Sequence, residues 1–427
     1  MKKTSFKALL GAGASALALT AVAPANAADL DIEPDKEYVE VCPNSGFRGA
    51  ILLPGTGVCF KVGGYAKADF IFRFDDFAGT NGTFSGANAS ATAFGFGAQA
   101  GAGGNRSRFH ANQSRINFDA RTTTDLGSAR AFVEGDFAFN GFSNTQTFAN
   151  RSQFTLRHAF VELGIDSLGG SLVAGQNWSL FTDFNVYPNI LDFNGPPTQA
   201  FLRQAQIRWT QPLSDAFTFA ISAENPVTFV AGANLGVDAV PDFIAALSYS
   251  SGALSGRLSG VVTYQDPNNA AVLGATTTDT ALGWAVQASL RLAIGDRDSL
   301  TVQGIYGDGH GRYQFTGVAS GAVNSLGTIQ TLRQYGGIVH GQHFWSDKLN
   351  SSAWFAYARA LAENDTVTGA RLVANTGTQI YTGANLVYNI RSNIIVGLEG
   401  LYTIVTDDVT GVDNDNFSLQ TSFQFSF

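Results

Sequence analysis

From residue 60 to the end of the chain, apolar and polar side chains alternate with a period of two rather than 3.6. In the stretch 60–74 the even positions are apolar or glycine, among them Phe60, Val62, Phe70 and Phe72. The odd positions include Lys61, Lys67, Asp69 and Arg73. The pattern recurs downstream: Ile116, Phe118 and Ala120 oppose Arg115, Asn117, Asp119 and Arg121, and Val286, Leu290 and Leu292 oppose Gln287, Ser289 and Arg291. Such segments suit strands whose two faces meet different solvents. After the first thirty residues no apolar run approaches the roughly eighteen residues a membrane helix needs.

The spacing predicts sixteen strands, near 60–74, 113–124, 129–139, 153–166, 171–178, 203–211, 216–225, 243–250, 254–265, 280–294, 299–308, 333–345, 349–361, 376–389, 394–406 and 415–427. Their connections alternate in length. Short turns such as 125–128, 167–170, 295–298 and 390–393 lie between long Gly/Asn/Thr-rich segments such as 75–112, 179–202, 226–242 and 309–332. An even strand number with short turns on one rim and long loops on the other predicts an all-β fold. Its form is a 16-stranded antiparallel transmembrane β-barrel with short periplasmic turns and long extracellular loops. Lipid offers the backbone no hydrogen bonds, so such a sheet must close on itself.

Composition agrees. Only 14% of the 427 residues are charged, against about 25% in soluble domains. Forty-eight Gly and 34 Phe suit long loops and a lipid-facing coat. A pI near 5.1 argues against nucleic acid as a partner, since phosphate binding calls for a basic face.

The N-terminus carries Lys2, Lys3 and Lys7, an apolar stretch 8–23 and the small-residue site Ala25-Asn26-Ala27. This is the layout of a secretory signal peptide over 1–27. Removing its three lysines and no acid leaves 23 basic against 34 acidic residues, a balance of −11. On that charge a mild cation preference is expected of any channel. The segment 28–59 opens with six acids between Asp29 and Glu40 and contains both cysteines, Cys42 and Cys59. It reads as a solvated periplasmic segment. In an exported chain the two cysteines read as a disulfide, because two thiols with no nearby histidine make a poor zinc site. At the other end, Phe423, Phe425 and the terminal Phe427 share one parity and Gln424 and Ser426 the other. A last strand ending in Phe resembles the C-terminal signal read by the barrel-assembly machinery.

Tyr38-Val-Glu-Val-Cys42, Leu53-Pro-Gly-Thr56, Cys59 and Gly64-Tyr65 resemble the start of the alphaproteobacterial (rhizobial-type) outer-membrane general porins. The resemblance continues through Leu156-Arg-His-Ala-Phe-Val161 and Gly170-Ser-Leu-Val-Ala-Gly-Gln176. It implies a homotrimeric, sixteen-stranded passive diffusion channel for small hydrophilic solutes and ions. It also implies that the third long loop folds into the barrel. By order that loop is 179–202, with Asp183, Tyr187 and Asp192 and with Pro188, Pro196 and Pro197 to stiffen it.

Opposite such a loop, basic side chains of lumen parity are expected. The pore-wall candidates are Lys67, Arg115, Arg121, Arg130, Arg208, Arg257 and Arg291. Facing lipid, each would cost roughly 2–4 kcal/mol at midplane, so lumen facing is favoured. The competing reading for each is a rim charge or a pair neutralised by Asp69, Asp119, Glu134 or Asp136. Trp178, Trp209, Tyr249, Tyr264, Trp345, Phe355, Tyr388 and Tyr402 are candidates for interfacial aromatic girdles.

No catalytic group, cofactor or metal site is expected. His110, His158, His310, His340 and His343 show no metal-ligand spacing, and the Gly-rich stretch 95–104 lacks a phosphate-loop lysine. The alternatives are a substrate-specific outer-membrane channel, or a closed barrel with an adhesive, structural or hydrolase role.

Overall fold

The computed structural model describes residues 42, 47–76, 104–138, 153–191, 195–231, 236–267, 271–272, 275–276, 279–365, 368–373, 377–408, 411 and 413–427. The signal-peptide and acidic-tail expectations, and Asp192, lie outside the described residues.

Sixteen long antiparallel strands close into one barrel. They are β1 (Cys59–Asp76), β2 (Arg115–Thr124), β3 (Gly127–Asp136), β4 (Thr155–Ile165), β5 (Gly170–Trp178), β6 (Arg203–Pro212), β7 (Phe217–Glu224) and β8 (Asp242–Ser251). The second half comprises β9 (Leu254–Gln265), β10 (Ala281–Ile294), β11 (Asp298–Asp308), β12 (Arg333–Phe344), β13 (Leu349–Ala360), β14 (Gly377–Arg391), β15 (Ile394–Asp407) and β16 (Asp413–Ser426). Each pairs with its neighbour in sequence. β1 closes the ring against β16, from Tyr65↔Ser426 to Phe74↔Phe417.

The alternation sets the two faces. Ile207 is 61% exposed while the adjacent Gln206 is 5% exposed, and Val286 and Gln287 repeat the contrast at 44% and 1%. Apolar side chains therefore coat the outside, and amides, hydroxyls and charges line the inside. On the outer face Trp284, Tyr306, Tyr335 and Tyr357 stand side by side across β10 to β13, with ring centroids 5.8, 6.5 and 6.4 Å apart. They lie toward the long-loop ends of these strands, where amphipathic rings suit the lipid–water boundary.

The structure adds elements that periodicity did not predict. The second barrel strand is split: Arg115–Tyr65 to Arg121–Cys59 pairs β2 with the start of β1, while Gly104–His110 pairs with its far half. A turn at Ala111–Ser114 separates them, and the Ser114 hydroxyl bridges the gap by accepting from the Lys67 N–H and donating to the Lys67 carbonyl. Part of the predicted first loop is thus strand. In the 309–332 loop, Gly321–Val323 pairs with Ile329–Thr331 and, in parallel, with Val230–Ala231 of the 226–242 loop.

Cys42 and Cys59 form the expected disulfide. Ile51 and Leu52 pair with Phe60 and Cys59, so the described part of the N-terminal segment is hydrogen-bonded onto the first strand. At the other terminus Phe427 donates to the Gly64 carbonyl at 3.1 Å and accepts from the Gly64 N–H at 3.2 Å. A Cβ at Gly64 would lie 2.2 Å from the Arg115 carbonyl oxygen, so this crowded seam requires glycine.

Candidate functional site: a loop bonded to the inner wall

After Trp178 the chain leaves the wall, and residues 179–191 and 195–202 bond to lumen-facing side chains inside the barrel. The base of this loop is held from both sides. The Glu224 carboxylate accepts the Leu180 N–H at 2.7 Å, while the Arg257 guanidinium donates to the Leu180 and Thr182 carbonyls. Arg208 donates to the Trp178 carbonyl. Farther along, the Ser289 hydroxyl donates to Asp183, Gln287 to the Phe181 carbonyl at 3.2 Å, and Gln303 to the Thr198 carbonyl at 3.1 Å. Each wall partner sits at a lumen position of β6, β7, β9, β10 or β11.

The loop then reaches the far side. The Leu191 carbonyl accepts from Lys67 Nζ at 2.7 Å and Gln420 Nε2 at 2.9 Å, and its N–H donates to Glu399 at 2.6 Å. Asn385 donates to the Asn189 carbonyl at 2.6 Å. These partners belong to β1, β14, β15 and β16, so one loop is tied to walls on two sides of the lumen. Wall glycines make room for it. A Cβ at Gly397 would lie 2.7 Å from Leu191, and one at Gly336 2.9 Å from Thr198.

Gly195 shows the same close approach within the loop. Its φ is +74°, and a Cβ there would meet the Tyr187 hydroxyl at 1.9 Å. The 309–332 loop packs on top: Phe315 donates its N–H to the Gln199 carbonyl at 3.0 Å. Tyr313 is fully buried, edge-on to Phe181, and donates its hydroxyl to Asp242 at 2.8 Å.

The seven cations predicted for the pore wall lie on the lumen face of their strands: Lys67, Arg121, Arg208, Arg257 and Arg291 each stand two places from a buried residue (Asp69, Asp119, Gln206, Ser259 and Ser289), and Arg115 and Arg130 reach the buried Glu134 and Asp119. They do not act alike. Lys67 stands 3.4 Å from Asp69, and Arg115 3.4 Å from Glu134. Arg121 and Arg130 both close on Asp119, at 2.8 and 2.9 Å. These four match the neutralised-pair reading. Arg208 and Arg257 instead brace the loop base, and Arg291 has no ion-pair partner among the described residues. Asp183 is buried against the wall and also caps the Phe184–Val186 turn through Asn185. Its carboxylate is thus bonded on two sides; among the described loop residues Phe184, Asn185 and Asn189 are exposed, and Tyr187 and Ile190 are half-buried.

Periodicity missed four charged groups of this site. Strict alternation gives Arg157 the parity of Ala159 and Val161, which face lipid. A register shift between Glu134 and Gly135 turns it inward instead, where it pairs with Glu134 at 2.8 Å and with Asp136. Arg203 has the parity of Ile207, yet its guanidinium lies 4.6 Å over the Trp178 ring. Trp178, expected in a girdle, rests instead against lumen groups: His158 at 5.7 Å and Phe184 at 4.7 Å between ring centroids. Both residues flank the point where the chain turns off the wall, so strand parity ceases to govern them. Glu224 and Glu399 had the correct parity, but nothing in the sequence pairs them with backbone groups of a distant loop.

Among the described residues no group of His, Cys, Asp or Glu has metal-binding geometry. A small cavity of about 480 Å³ opens beside the N-terminal segment, lined by Phe47, Arg48, Lys61, Asn117, Asp119, Arg121 and Phe427. There the Arg121 guanidinium lies 4.0 Å over the Phe47 ring.

Comparison with known proteins bears on this arrangement. The profile of the porin subfamily matches residues 29–424. The porin Omp2b of Brucella melitensis is 26% identical over 303 residues, covering 68% of this chain and 72% of its own length. The fold is similar to the outer membrane channel DcaP of Acinetobacter baumannii, with TM-score 0.71 at 17% identity over 87% of this chain and 98% of the other. It is also similar to the trimer form of OmpT of Vibrio cholerae, with TM-score 0.53 at 14% identity over 87% and 100%.

Proposed function

The chain belongs to the porin subfamily and is a multi-pass outer-membrane channel; on that premise we propose that the 179–202 loop sets its constriction and that small hydrophilic solutes and ions cross it by passive diffusion. The observation that carries the reading is Leu191, tied by its N–H to Glu399 and by its carbonyl to Lys67 and Gln420. We read a loop so anchored as fixed against solute flow, with the aqueous path passing it along the polar lumen wall. About sixteen strands enclose more space than side chains fill. Selectivity then rests on bore and charge at the narrowest level. Asp183, Tyr187 and Asp192 on the loop, with the seven wall cations, are the residues we assign to that level.

No covalent chemistry, cofactor or metal is part of this mechanism. The −11 mature balance argues for a mild cation preference. Lipid covers the apolar outer face. Homotrimer assembly is the natural state by likeness to the porin family, and Phe423, Phe425 and Phe427 are the residues offered to the barrel-assembly machinery.

The test is reconstitution in a planar bilayer. Stepwise openings, in triplets for a trimer, are the expected result, with a reversal potential in asymmetric KCl of cation-selective sign. A folded, purified protein giving no conductance would sink the reading. A second reading, a substrate-specific channel, is supported by the exposed aromatic surface at Phe184.

A further inference from the structure

The 309–332 loop joins β11 to β12 at the long-loop rim, where a connection free in water keeps its side chains exposed. This one does not. Val318, Ala322, Val323 and Leu332 are each at most 1% exposed. Val318, Ala322 and Leu332 pack with Ala360 of β13 and Val405 of β15, both of lumen parity, and with Val373. The loop therefore turns its apolar side chains inward, onto the inner wall.

Hydrogen bonds fix it there. Gln334 of β12 donates to the Val318 and Ala319 carbonyls at 3.4 and 3.2 Å and accepts from the Thr316 hydroxyl at 2.7 Å. Gln379 of β14 donates to the Thr316 carbonyl at 3.0 Å, and Thr263 of β9 to the Gly309 carbonyl at 3.2 Å. Asp242 of β8 accepts from Arg312 at 2.6 Å and from the Tyr313 hydroxyl at 2.8 Å. All four wall residues are buried and lie near the long-loop ends of their strands. Buried amides and carboxylates need such partners, so these wall groups hold the loop in one place.

The loop also lies directly against the 179–202 loop. Phe315 donates its N–H to the Gln199 carbonyl at 3.0 Å, and its ring lies 5.6 Å from that of Phe201. Gly311 allows the tight fold, since a Cβ there would lie 2.5 Å from the Ser320 nitrogen.

We propose that the 309–332 loop is a second constricting element. It narrows the lumen on the extracellular side of the 179–202 loop, and the two together set the size of neutral hydrophilic solute admitted. The inference rests on the channel reading and adds to it, because bore at the narrowest level decides passage. Phe315, half-buried where the two loops meet, marks their shared edge.

Two variants test it. Gly309 donates to the Leu332 carbonyl at 3.1 Å, so a short Gly-Ser turn can replace residues 311–330 and join β11 to β12 as a hairpin. In planar bilayers this variant should conduct more than wild type. In liposome swelling its raffinose-to-glucose rate ratio should rise roughly three-fold or more, as a wider bore favours the larger sugar. Unchanged conductance with an unchanged ratio would overturn the proposal. Phe315→Cys leaves the loop in place, and both native cysteines are spent in the disulfide. Adding a bulky ammonium methanethiosulfonate should lower its single-channel current in steps and leave wild type unaffected. Complete labelling, checked by mass, with no change in current would overturn the proposal, including where the shortened barrel fails to assemble. Wild-type protein with no KCl conductance would instead overturn the channel reading.

Discussion

Glu399 on β15 accepts the backbone N–H of Leu191 at 2.6 Å, joining residues 208 positions apart in sequence. The same carboxylate accepts from the Asn385 side chain at 3.1 Å. A buried carboxylate bound to a loop N–H is a charge-assisted contact, and losing one partner leaves the other unsatisfied, at a cost of about 1.5–3 kcal/mol. Glu399→Ala is therefore expected to free the tip of the 179–202 loop while the barrel, closed by its strands, stays folded. Single-channel recording should show a larger conductance with more open-channel noise. A conductance and noise equal to wild type would mean that the loop keeps its position without this anchor.

Gly195 governs the other side of the loop. At φ +74° an L residue pays roughly 1–2 kcal/mol for the left-handed backbone, and the Cβ would overlap the Tyr187 hydroxyl. Gly195→Ala should displace Tyr187 and change both conductance and the voltage at which channels close. The double variant Gly195→Ala with Tyr187→Phe removes the hydroxyl and should recover part of the wild-type behaviour. An additive pair of effects would count against this contact.

Asp119 stands between two arginines, accepting from Arg121 and from Arg130 through both carboxylate oxygens. Asp119→Asn removes one negative charge while both cations remain on the lumen face. The reversal potential in asymmetric KCl should shift toward anions, and the shift should shrink as ionic strength rises. An unchanged potential would place this triad away from the path that selects ions.

How much of this was legible in the sequence follows from what each feature depends on. The sixteen strands were readable because a two-solvent sheet writes its period into nearly every residue: Gln206 and Ile207 must differ whatever the rest of the chain does. The lumen direction of Lys67, Arg115 and Arg257 follows from the same period. Arg157 was not legible, since its inward turn depends on a register shift between β3 and β4 that no local pattern marks. Arg203 and Trp178 failed for a related reason, as both lie where the chain departs from the wall. The partners of Glu399 and Glu224 are backbone groups of the loop, and backbone groups carry no sequence signal. The Gly104–His110 strand lay inside a stretch whose Gly and Asn content reads as loop.

The disulfide tests the N-terminal segment. Cys42 donates its N–H to the Ala50 carbonyl, Thr122 donates to the Gly57 carbonyl, and Ile51–Leu52 pairs with β1. The first of these bonds is internal to the segment; the other two hold it to a barrel whose β1–β16 seam closes through Tyr65–Phe74. Closing a loop of this size stabilises by roughly 3 kcal/mol, so Cys42→Ser with Cys59→Ser should loosen the segment and spare the barrel. Tryptic cleavage at the exposed Arg48 should accelerate tenfold or more, while the mobility difference between heated and unheated samples on a gel persists. Loss of that difference would show that the disulfide supports the barrel or its trimer.

Phe427 joins two functions that substitution can separate. Its backbone closes the seam with Gly64 in both directions, and its ring points outward, 57% exposed, in line with Phe425 and Phe423. Phe427→Ser keeps the two backbone hydrogen bonds and loses the ring; deletion of Phe427 loses both. If the assembly machinery reads the outward aromatic, Phe427→Ser should lower the amount of heat-modifiable barrel in the outer membrane several-fold, nearly as far as the deletion. Phe427→Trp should stay near wild type. Refolding of Phe427→Ser into detergent micelles should proceed normally, because no machinery acts there and the seam is intact. Equal membrane levels of wild type and Phe427→Ser would assign the terminal residue to closure alone.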